Sequence, residues 1–310
     1  MTNTTTSLSD FSLIVPAYNE EENIDLLMKE IDKTFKAYDL HGEVILVDDG
    51  STDGTYEAAK RYETDLPYLK TLRHRKNFGK TEAIVTGVYG SQGSVVIIFD
   101  ADLQHLPEEI PRFLKKIDEG YDIVTGRKVG DYQKKYVSYI YNKLCRKLFD
   151  VPVSDMNSIK AFRREVFQGL HLRHDWHRFF VAICYSEGYT VTEIDVPLYP
   201  RRFGEPKYGG YGRMIIGMLD LLAVKFKTTF ARKPLLFFGS IGLALMLLGT
   251  LIGLFAIYLR VFLQLGFRPL LYLVVLLILM GAICFIGGFI GEIVGDISDR
   301  LASVEKKSLE

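Results

Sequence analysis

Apolar positions along this chain fall into two regimes. Up to about residue 200, apolar runs of strand length alternate with stretches whose apolar residues recur at helical spacing; from residue 234 the chain becomes almost continuously apolar. Residues 11–16 (FSLIVP), 43–47 (EVILV), 69–73 (LKTLR), 94–99 (SVVIIF) and 121–125 (YDIVT) predict strands. Helical patterns follow four of them. One starts at the acidic Glu20, Glu21 and Glu22 and runs through Phe35. A second covers residues 56–62, with Ser51 or Asp53 placed to cap it, and a third lies near residues 81–89. Pro107, Glu108 and Glu109 open the fourth. Apolar strands alternating with helices predict an α/β domain whose parallel sheet is covered on both faces. In such sheets ligands sit beyond the carboxyl ends of the strands. Residues 16–20, Asp48, Asp49, residues 100–104 and Arg127 fall there. No G-x-G-x-x-G follows the first strand, which argues against a dinucleotide-binding dehydrogenase.

The apolar regime contains two uncharged runs, residues 235–259 and 270–290. A bilayer core of roughly 30 Å needs about 20 helical residues, so each run is long enough to span it. Lys225, Lys227, Arg232 and Lys233 precede the first run, and Arg300, Lys306 and Lys307 follow the second. The connection between them carries Arg260 and Arg268. The positive-inside rule therefore expects both ends, and the large domain, on the cytoplasmic side. Between domain and spans, Met214, Ile215, Met218, Leu221, Leu222 and Phe226 recur at helical spacing beside positive charge, the pattern of an interfacial helix. A helix packed on the soluble domain is the other reading. The expected layout is a domain over 1–209, a juxtamembrane helix over 210–233, two transmembrane helices over 234–296 and a cytoplasmic tail over 297–310.

Composition narrows the field further. The chain has 38 basic and 38 acidic side chains, so its net field suggests no nucleic-acid partner. Three scattered cysteines, Cys145, Cys184 and Cys284, form no disulfide framework. The polar first ten residues lack the apolar core of a signal peptide.

Several residues could carry chemistry. Asp100 and Asp102, one residue apart where a strand ends, can converge as oxygen ligands for Mg²⁺ or Mn²⁺, or simply cap loop backbone. Asp48 and Asp49 end the second strand in the same way. There they can accept from a nucleobase N–H or form an Asx-turn. The segment 201–208 (RRFGEPKY) could bind phosphate or anionic lipid through Arg201 and Lys207. Lys76, Asn77, Gly79 and Lys80 form a basic turn, facing substrate or solvent. His171, His174, Asp175 and His177 match no standard zinc spacing.

Read in order, these motifs resemble glycosyltransferase family 2, in its polyisoprenyl-phosphate branch of dolichyl-phosphate mannose synthases and undecaprenyl-phosphate glycosyltransferases. The resemblance rests on VPAYNEEENI (15–24), ILVDDGSTDGT (45–55), KNFGKTEA (76–83), DADLQH (100–105), GRKVG (126–130) and RRFGEPKYG (201–209). It implies a Rossmann-like GT-A domain carrying a C-terminal two-helix transmembrane hairpin. It also implies that Pro16, Tyr18, Glu20, Asp48, Asp49, Lys80 and Asp100 bind the nucleotide of a UDP- or GDP-sugar. Asp100, Asp102 and Gln104 would hold Mg²⁺ or Mn²⁺, and Asp102, Arg127, Arg201 and Lys207 would act in catalysis. Three departures stand out. Pro206 replaces the family's serine, Lys76 replaces an arginine, and 158–161 (SIKA) shortens the usual S-G-F-R-A.

The activity so implied is inverting transfer of a hexose to a polyisoprenyl phosphate at the cytoplasmic membrane face, among membrane lipids; a homo-oligomer is left open. One alternative is a processive polysaccharide synthase. Its Q-x-x-R-W motif is missing, since Asp175 precedes the single tryptophan, Trp176. The other is a non-catalytic lipid-binding module, against which the intact Asp49, Asp100 and Asp102 argue.

Overall fold

A computed structural model describes residues 10–130, 135–168, 170, 172–203, 211–230 and 233–309. The amino-terminal tail, Gly204, Glu205, Pro206, Lys207, His171 and Arg232 lie outside the described residues. The chain divides into two compact units, Met1–Leu221 and Leu222–Glu310.

In the first unit seven strands form one sheet: β1 (Phe11–Ala17), β2 (Gly42–Asp48), β3 (Leu69–Arg73), β4 (Val95–Ile98), β5 (Ile123–Val129), β6 (Lys160–Arg163) and β7 (Val191–Pro197). Their order is β3-β2-β1-β4-β6-β5-β7. β1 pairs in parallel with β2 and β4, β2 with β3, and β5 with β7. The expectation of a wholly parallel sheet fails at β6, which runs antiparallel to both β4 and β5. Four residues with a cation at each end (KAFR) are too short and too polar to show a strand period, so this element was not foreseen. Its direction matters. It brings residues 155–160 to the edge where β4 and β5 end.

Helices α1 (Glu21–Ala37), α2 (Thr55–Tyr62), α3 (Lys80–Tyr89), α4 (Ile110–Asp118), α5 (Lys135–Phe149) and α6 (Phe180–Ser186) accompany the sheet. Leu13, Val15, Ile97, Phe99 and Ala161 face Ile24, Leu27 and Ile31 of α1 and Phe113, Leu114 and Ile117 of α4 in one buried core. Each such aliphatic or aromatic side chain contributes about 1.5–3 kcal/mol on burial. On the other face Gly87 of α3 sits against Ile14 and Val47. At the start of α2 the Asp53 carboxylate accepts from Thr55 N at 3.0 Å, while Gly54 holds the cap position. Ser51 does not cap; its hydroxyl accepts from Asn19 N at 2.9 Å.

α7 (Tyr211–Lys225) follows. It leaves Met218 and Leu222 exposed, four residues apart, and buries Leu221 and Val224.

The second unit is dominated by α8 (Pro234–Phe262) and α9 (Arg268–Leu309). Pro234–Phe262 and Arg268–Ile297 have mean hydropathies of 2.3 and 2.9 and are long and apolar enough to cross a membrane. α9 continues helical to Leu309, through the residues expected to form the tail. The two helices approach through glycine. A Cβ on Gly242 would lie 2.5 Å from the Gly281 carbonyl oxygen and 2.8 Å from Phe285 N. At the start of α8 the Glu292 carboxylate accepts from Leu235 N at 3.2 Å, supplying one of the acceptors a helix start lacks.

Candidate active site

Loops leaving β1, β2 and β4 meet those around residues 157, 175 and 201 in an open pocket of about 370 Å³. Ligand pockets span roughly 300–1,000 Å³. Its walls include Pro16, Tyr18, Glu20, Asp49, Lys80, Asp100, Asp102, Gln104 and Arg201, nine of the residues expected from sequence. Three non-glycine residues of these loops hold left-handed backbone: Asn19 (φ 50°), Leu103 (φ 54°) and Asp175 (φ 61°). Such conformations persist where surrounding structure over-determines them, and they gather at functional sites.

The first wall follows β1 and β2. Asn19 Oδ1 accepts from Thr52 N at 2.9 Å, and Thr55 Oγ1 accepts from Glu20 N at 2.8 Å, locking the two loops together. The Asp49 carboxylate organises the basic turn. It accepts from Phe78 N at 2.9 Å and Gly79 N at 2.8 Å, and lies 2.7 Å from His74 Nδ1. Gly79 sits at φ 93°, a backbone conformation that side-chain-bearing residues rarely adopt, so the K-N-F-G-K turn depends on glycine there.

The second wall is the loop after β4. Lys80, the first residue of α3, forms an ion pair with Asp100. Arg201 donates to Asp102 Oδ2 at 2.7 Å and lies 3.3 Å from Glu20 Oε1. Gln104 donates its side-chain amide to the Tyr199 carbonyl at 3.4 Å, fastening the loop to the segment after β7. His105 bridges two segments, 3.2 Å from the Pro197 carbonyl through Nδ1 and 3.2 Å from Ser158 Oγ through Nε2. Burial lowers its pKa, with the Asp100 charge opposing.

The two aspartates differ. Burial acts to raise Asp100, but the charge and hydrogen bond of Lys80, joined by the charges of Lys160 and His105, hold it below the ordinary carboxylate range. Asp102 is raised, by burial first and then by the Asp100 charge, and Arg201 offsets only part of this.

Not every expected residue enters the pocket. Asp48 is fully buried, accepts from Ser51 N at 3.0 Å and is paired with Arg73 at 3.1 Å, so it serves the turn. Arg127 is exposed and clamps Asp195, with Nη2 donating to Oδ2 at 2.8 Å, a pairing that raises its pKa. Strand alternation carries the next residue, Lys128, to the pocket instead, where it donates to the Asn157 carbonyl at 2.9 Å. Lys207 and Pro206 lie outside the described residues.

Sequence reading also missed a third wall. Asp175, His177 and Arg178 line the pocket, with His177 Nδ1 2.9 Å from Thr81 Oγ1 and Arg178 Nε donating to the Asp175 carbonyl at 3.0 Å. The cluster of His171, His174, Asp175 and His177 is visible in the sequence, but its spacing gives no sign that part of it lines a pocket.

Among the described residues no three His, Cys, Asp or Glu side chains gather as a metal cage. Asp100 and Asp102 still suit a hard divalent cation. Such an ion takes one or two carboxylates and completes its shell with water and substrate phosphate.

Comparison with known proteins bears on this site. Residues 12–182 match the family described as glycosyl transferase family 2. The chain is 31% identical over 296 residues to the dodecaprenyl-phosphate galacturonate synthase of Rhizobium johnstonii, covering 92% of this chain and 87% of that one. It is 33% identical over 299 residues to the undecaprenyl-phosphate 4-deoxy-4-formamido-L-arabinose transferase of Shewanella sediminis, with the same coverage of 92% and 87%. Among solved structures it resembles glucosyl-3-phosphoglycerate synthase from Mycobacterium tuberculosis in complex with Mn²⁺, UDP and glucosyl-3-phosphoglycerate. That match has a TM-score of 0.55 and 18% identity and covers 71% of this chain and 80% of that one. A second structure of that enzyme, with Mg²⁺ and UDP, matches with a TM-score of 0.53 and 19% identity over 68% and 78% of the two chains. At this identity the likeness concerns the fold, which is GT-A.

Proposed function

This chain belongs to glycosyl transferase family 2, and we propose that it transfers a sugar from a UDP- or GDP-linked donor to a polyisoprenyl phosphate, with inversion. The observation that carries this reading is the pairing of Asp100 with Lys80 and of Asp102 with Arg201 around one pocket at the sheet's carboxyl edge. Both relatives named above are named for a polyprenyl phosphate, which supports the acceptor. Two helices long enough to cross a bilayer support a membrane setting for it. The layout is a catalytic domain over 1–209, an interfacial helix over 210–233, spans over 234–296 and a tail over 297–310, with the domain on the cytoplasmic side.

In this reading Pro16, Tyr18, Glu20 and Asp49 form the nucleotide wall. The ammonium of Lys80 and the guanidinium of Arg201 neutralise charge on the donor's diphosphate, and Lys128 and Arg178 add cationic surface opposite. Asp100 and Asp102, with Gln104 beside them, would hold Mg²⁺ or Mn²⁺, which when bound supplies positive charge to the departing diphosphate. The nucleophile is an oxygen of the lipid phosphate, already ionised near neutral pH, so no side chain need take a proton. Its bond to the anomeric carbon forms as the bond from that carbon to the diphosphate oxygen breaks, and the electron pair leaves with the nucleoside diphosphate. The protein's share is positioning and charge stabilisation.

The test supplies the full-length protein with polyprenyl phosphate and labelled nucleotide sugars, with and without EDTA, beside Asp102→Asn. Labelled glycolipid should form in the wild type and fall about 10²–10³-fold in the variant. Undiminished transfer by Asp102→Asn would overturn the assignment of the loop, and absence of glycolipid from every donor would overturn the reading as a whole.

A further inference from the structure

The turn that leads into β6 contributes Asn157 and Ser158 to the pocket, and the proposed reaction gives neither a task. Hydrogen bonds pin the turn from several sides. The Asp155 carboxylate accepts from Asn157 N at 3.0 Å, and the Asp155 carbonyl accepts from Thr125 Oγ1 at 2.9 Å. Lys128 Nζ donates to the Asn157 carbonyl at 2.9 Å, and Gly126 N donates to the Ile159 carbonyl at 2.9 Å. Ser158 is buried, with its Oγ 3.2 Å from His105 Nε2. The other ring nitrogen, Nδ1, faces the Pro197 carbonyl at 3.2 Å, which can only accept, so Nδ1 carries a proton and the ring is fixed in place. The Asn157 side chain is exposed at the pocket, and among the described residues its amide has no hydrogen-bond partner. The chain then turns inward. Lys160 is only 3% exposed and stays out of the pocket wall; burial first, and then the Lys80 charge, bring its pKa down to about 8.

Position along the sheet says what this pair can meet. The strands run β2, β1, β4, β6 and β5 in that order. The proposed nucleotide wall follows β1 and β2, and Asp100 and Asp102 follow β4. Asn157 and Ser158 precede β6, on the side of β4 away from β1, and reach the carboxyl edge because β6 runs against β4. A donor with its base over β1 and β2 and its diphosphate at the end of β4 therefore carries its sugar toward β6. The sugar is bonded directly to the distal phosphate, so it lies beside whatever holds that phosphate. The Ser158 contact supports this adjacency, since His105 is three residues beyond Asp102 in the same loop. Charged side chains around the pocket are committed to one another, Lys80 to Asp100, Arg201 to Asp102 and Glu20, and Arg178 to Asp175. Gln104 gives its amide to Tyr199. Sugar hydroxyls are uncharged and both donate and accept, which suits a carboxamide and a fixed hydroxyl.

We propose that Asn157 and Ser158 form the subsite for the transferred sugar: the Asn157 amide and the Ser158 hydroxyl, held by His105, hydrogen-bond its ring hydroxyls and so choose among sugars carried on the same nucleotide. This rests on reading the pocket as a nucleotide-sugar site. An epimer whose hydroxyl points elsewhere leaves these groups unpaired once water is displaced, the effect by which hydrogen-bonding sites reject analogues.

The experiment compares wild type, Asn157→Ala and Ser158→Ala as full-length protein in detergent with Mn²⁺. Calorimetry measures Kd for UDP, GDP, UDP-glucose, UDP-galactose, GDP-mannose and GDP-glucose, and transfer of each labelled sugar to polyprenyl phosphate is followed alongside. If wild type binds neither UDP nor GDP, the functional reading fails whatever the variants do. If it binds one, Asn157→Ala should leave that Kd within about twofold while weakening Kd and kcat/KM for the better sugar on that nucleotide by about five- to tenfold. Selectivity between the two sugars on that nucleotide should narrow. Asn157 is exposed, so its variant should keep the nucleotide-free Tm of wild type; Ser158→Ala should show the same split between nucleotide and nucleotide sugar, with a lower Tm from loss of the His105 bond. Two results overturn the proposal. One is Asn157→Ala binding and transferring the sugar within about twofold of wild type. The other is equal weakening of the nucleoside diphosphate and its sugar conjugates, which marks a part in nucleotide binding alone.

Discussion

Arg201 and Asp102 are joined at 2.7 Å between Nη2 and Oδ2, and the other arm of the same guanidinium lies 3.3 Å from Glu20. One side chain from beyond β7 thus ties together the loops that leave β1 and β4. Only a planar fork serves two carboxylates at once; an ammonium on a flexible stem is a point charge. Arg201→Lys should therefore keep the charge but lose the geometry. A fall of about 10–100-fold in kcat/KM for the donor is expected, larger than the change in KM alone. Steady-state transfer kinetics at several donor concentrations check this, and a variant with wild-type kcat/KM would refute the double contact as a working part.

Lys128 and Arg127 are adjacent, and either could serve as a strand-end cation. Arg127 is engaged by Asp195 on the exposed side, a surface pair of the kind worth about 0–1 kcal/mol. Lys128 reaches the pocket. Lys128→Ala should thus lower kcat/KM by about tenfold or more, and Arg127→Ala by less than about threefold. The two variants assayed side by side decide it; the reverse ranking would return the catalytic role to Arg127.

The pH dependence of stability carries the mark of Lys160. Its folded-state pKa, about 8, lies below the ordinary 10.5, so the folded protein binds fewer protons than the unfolded chain between those values. Stability from this group accordingly rises as pH climbs from about 8 toward 10.5, and its penalty is complete below that window. The Tm difference between Lys160→Met and wild type should be widest below pH 8 and shrink above it. Thermal unfolding of both proteins across that range measures this, and a constant difference would contradict it.

Gly79 holds φ 93° with the His174 ring beside it. Gly79→Ala adds backbone strain of roughly 1–3 kcal/mol, whereas the exposed His174 ring can swing aside. The substitution should lower Tm and detach the turn that Asp49 organises, weakening nucleotide binding as well. Gly120, at φ 106° with nothing within 4 Å and away from the pocket lining, gives the control, since alanine there adds strain without touching the site. Unchanged nucleotide binding by Gly79→Ala would show that the turn held by Asp49 is no part of the site.

Much of this was legible in the chain. The apolar runs that became β1, β2 and β4 announced themselves, because strands buried on both faces need unbroken apolar sequence. So did the residues that follow them, because the carboxyl edge is where such a sheet binds. What stayed hidden has physical causes. Lys160 sits in a strand of four residues, too few for a period, and a lysine there reads as surface. Asp48 and Asp49 look alike in sequence, yet one was taken by Ser51 and Arg73 and the other by the 78–79 backbone, a choice made by tertiary packing. The 175–178 turn reaches the pocket through His177 and Thr81, nearly a hundred residues apart, which no local pattern records.

Where Gly242 faces Gly281, the two backbones of the hairpin come together with no side chain between them. No hydrocarbon tail can wedge into that seam. Lipid chains around these helices would therefore meet the hairpin on its outside, along exposed side chains such as Leu243, Leu247 and Leu254. Such a surface grips by greasy area rather than by fit, and so it meets long and short tails on nearly the same footing.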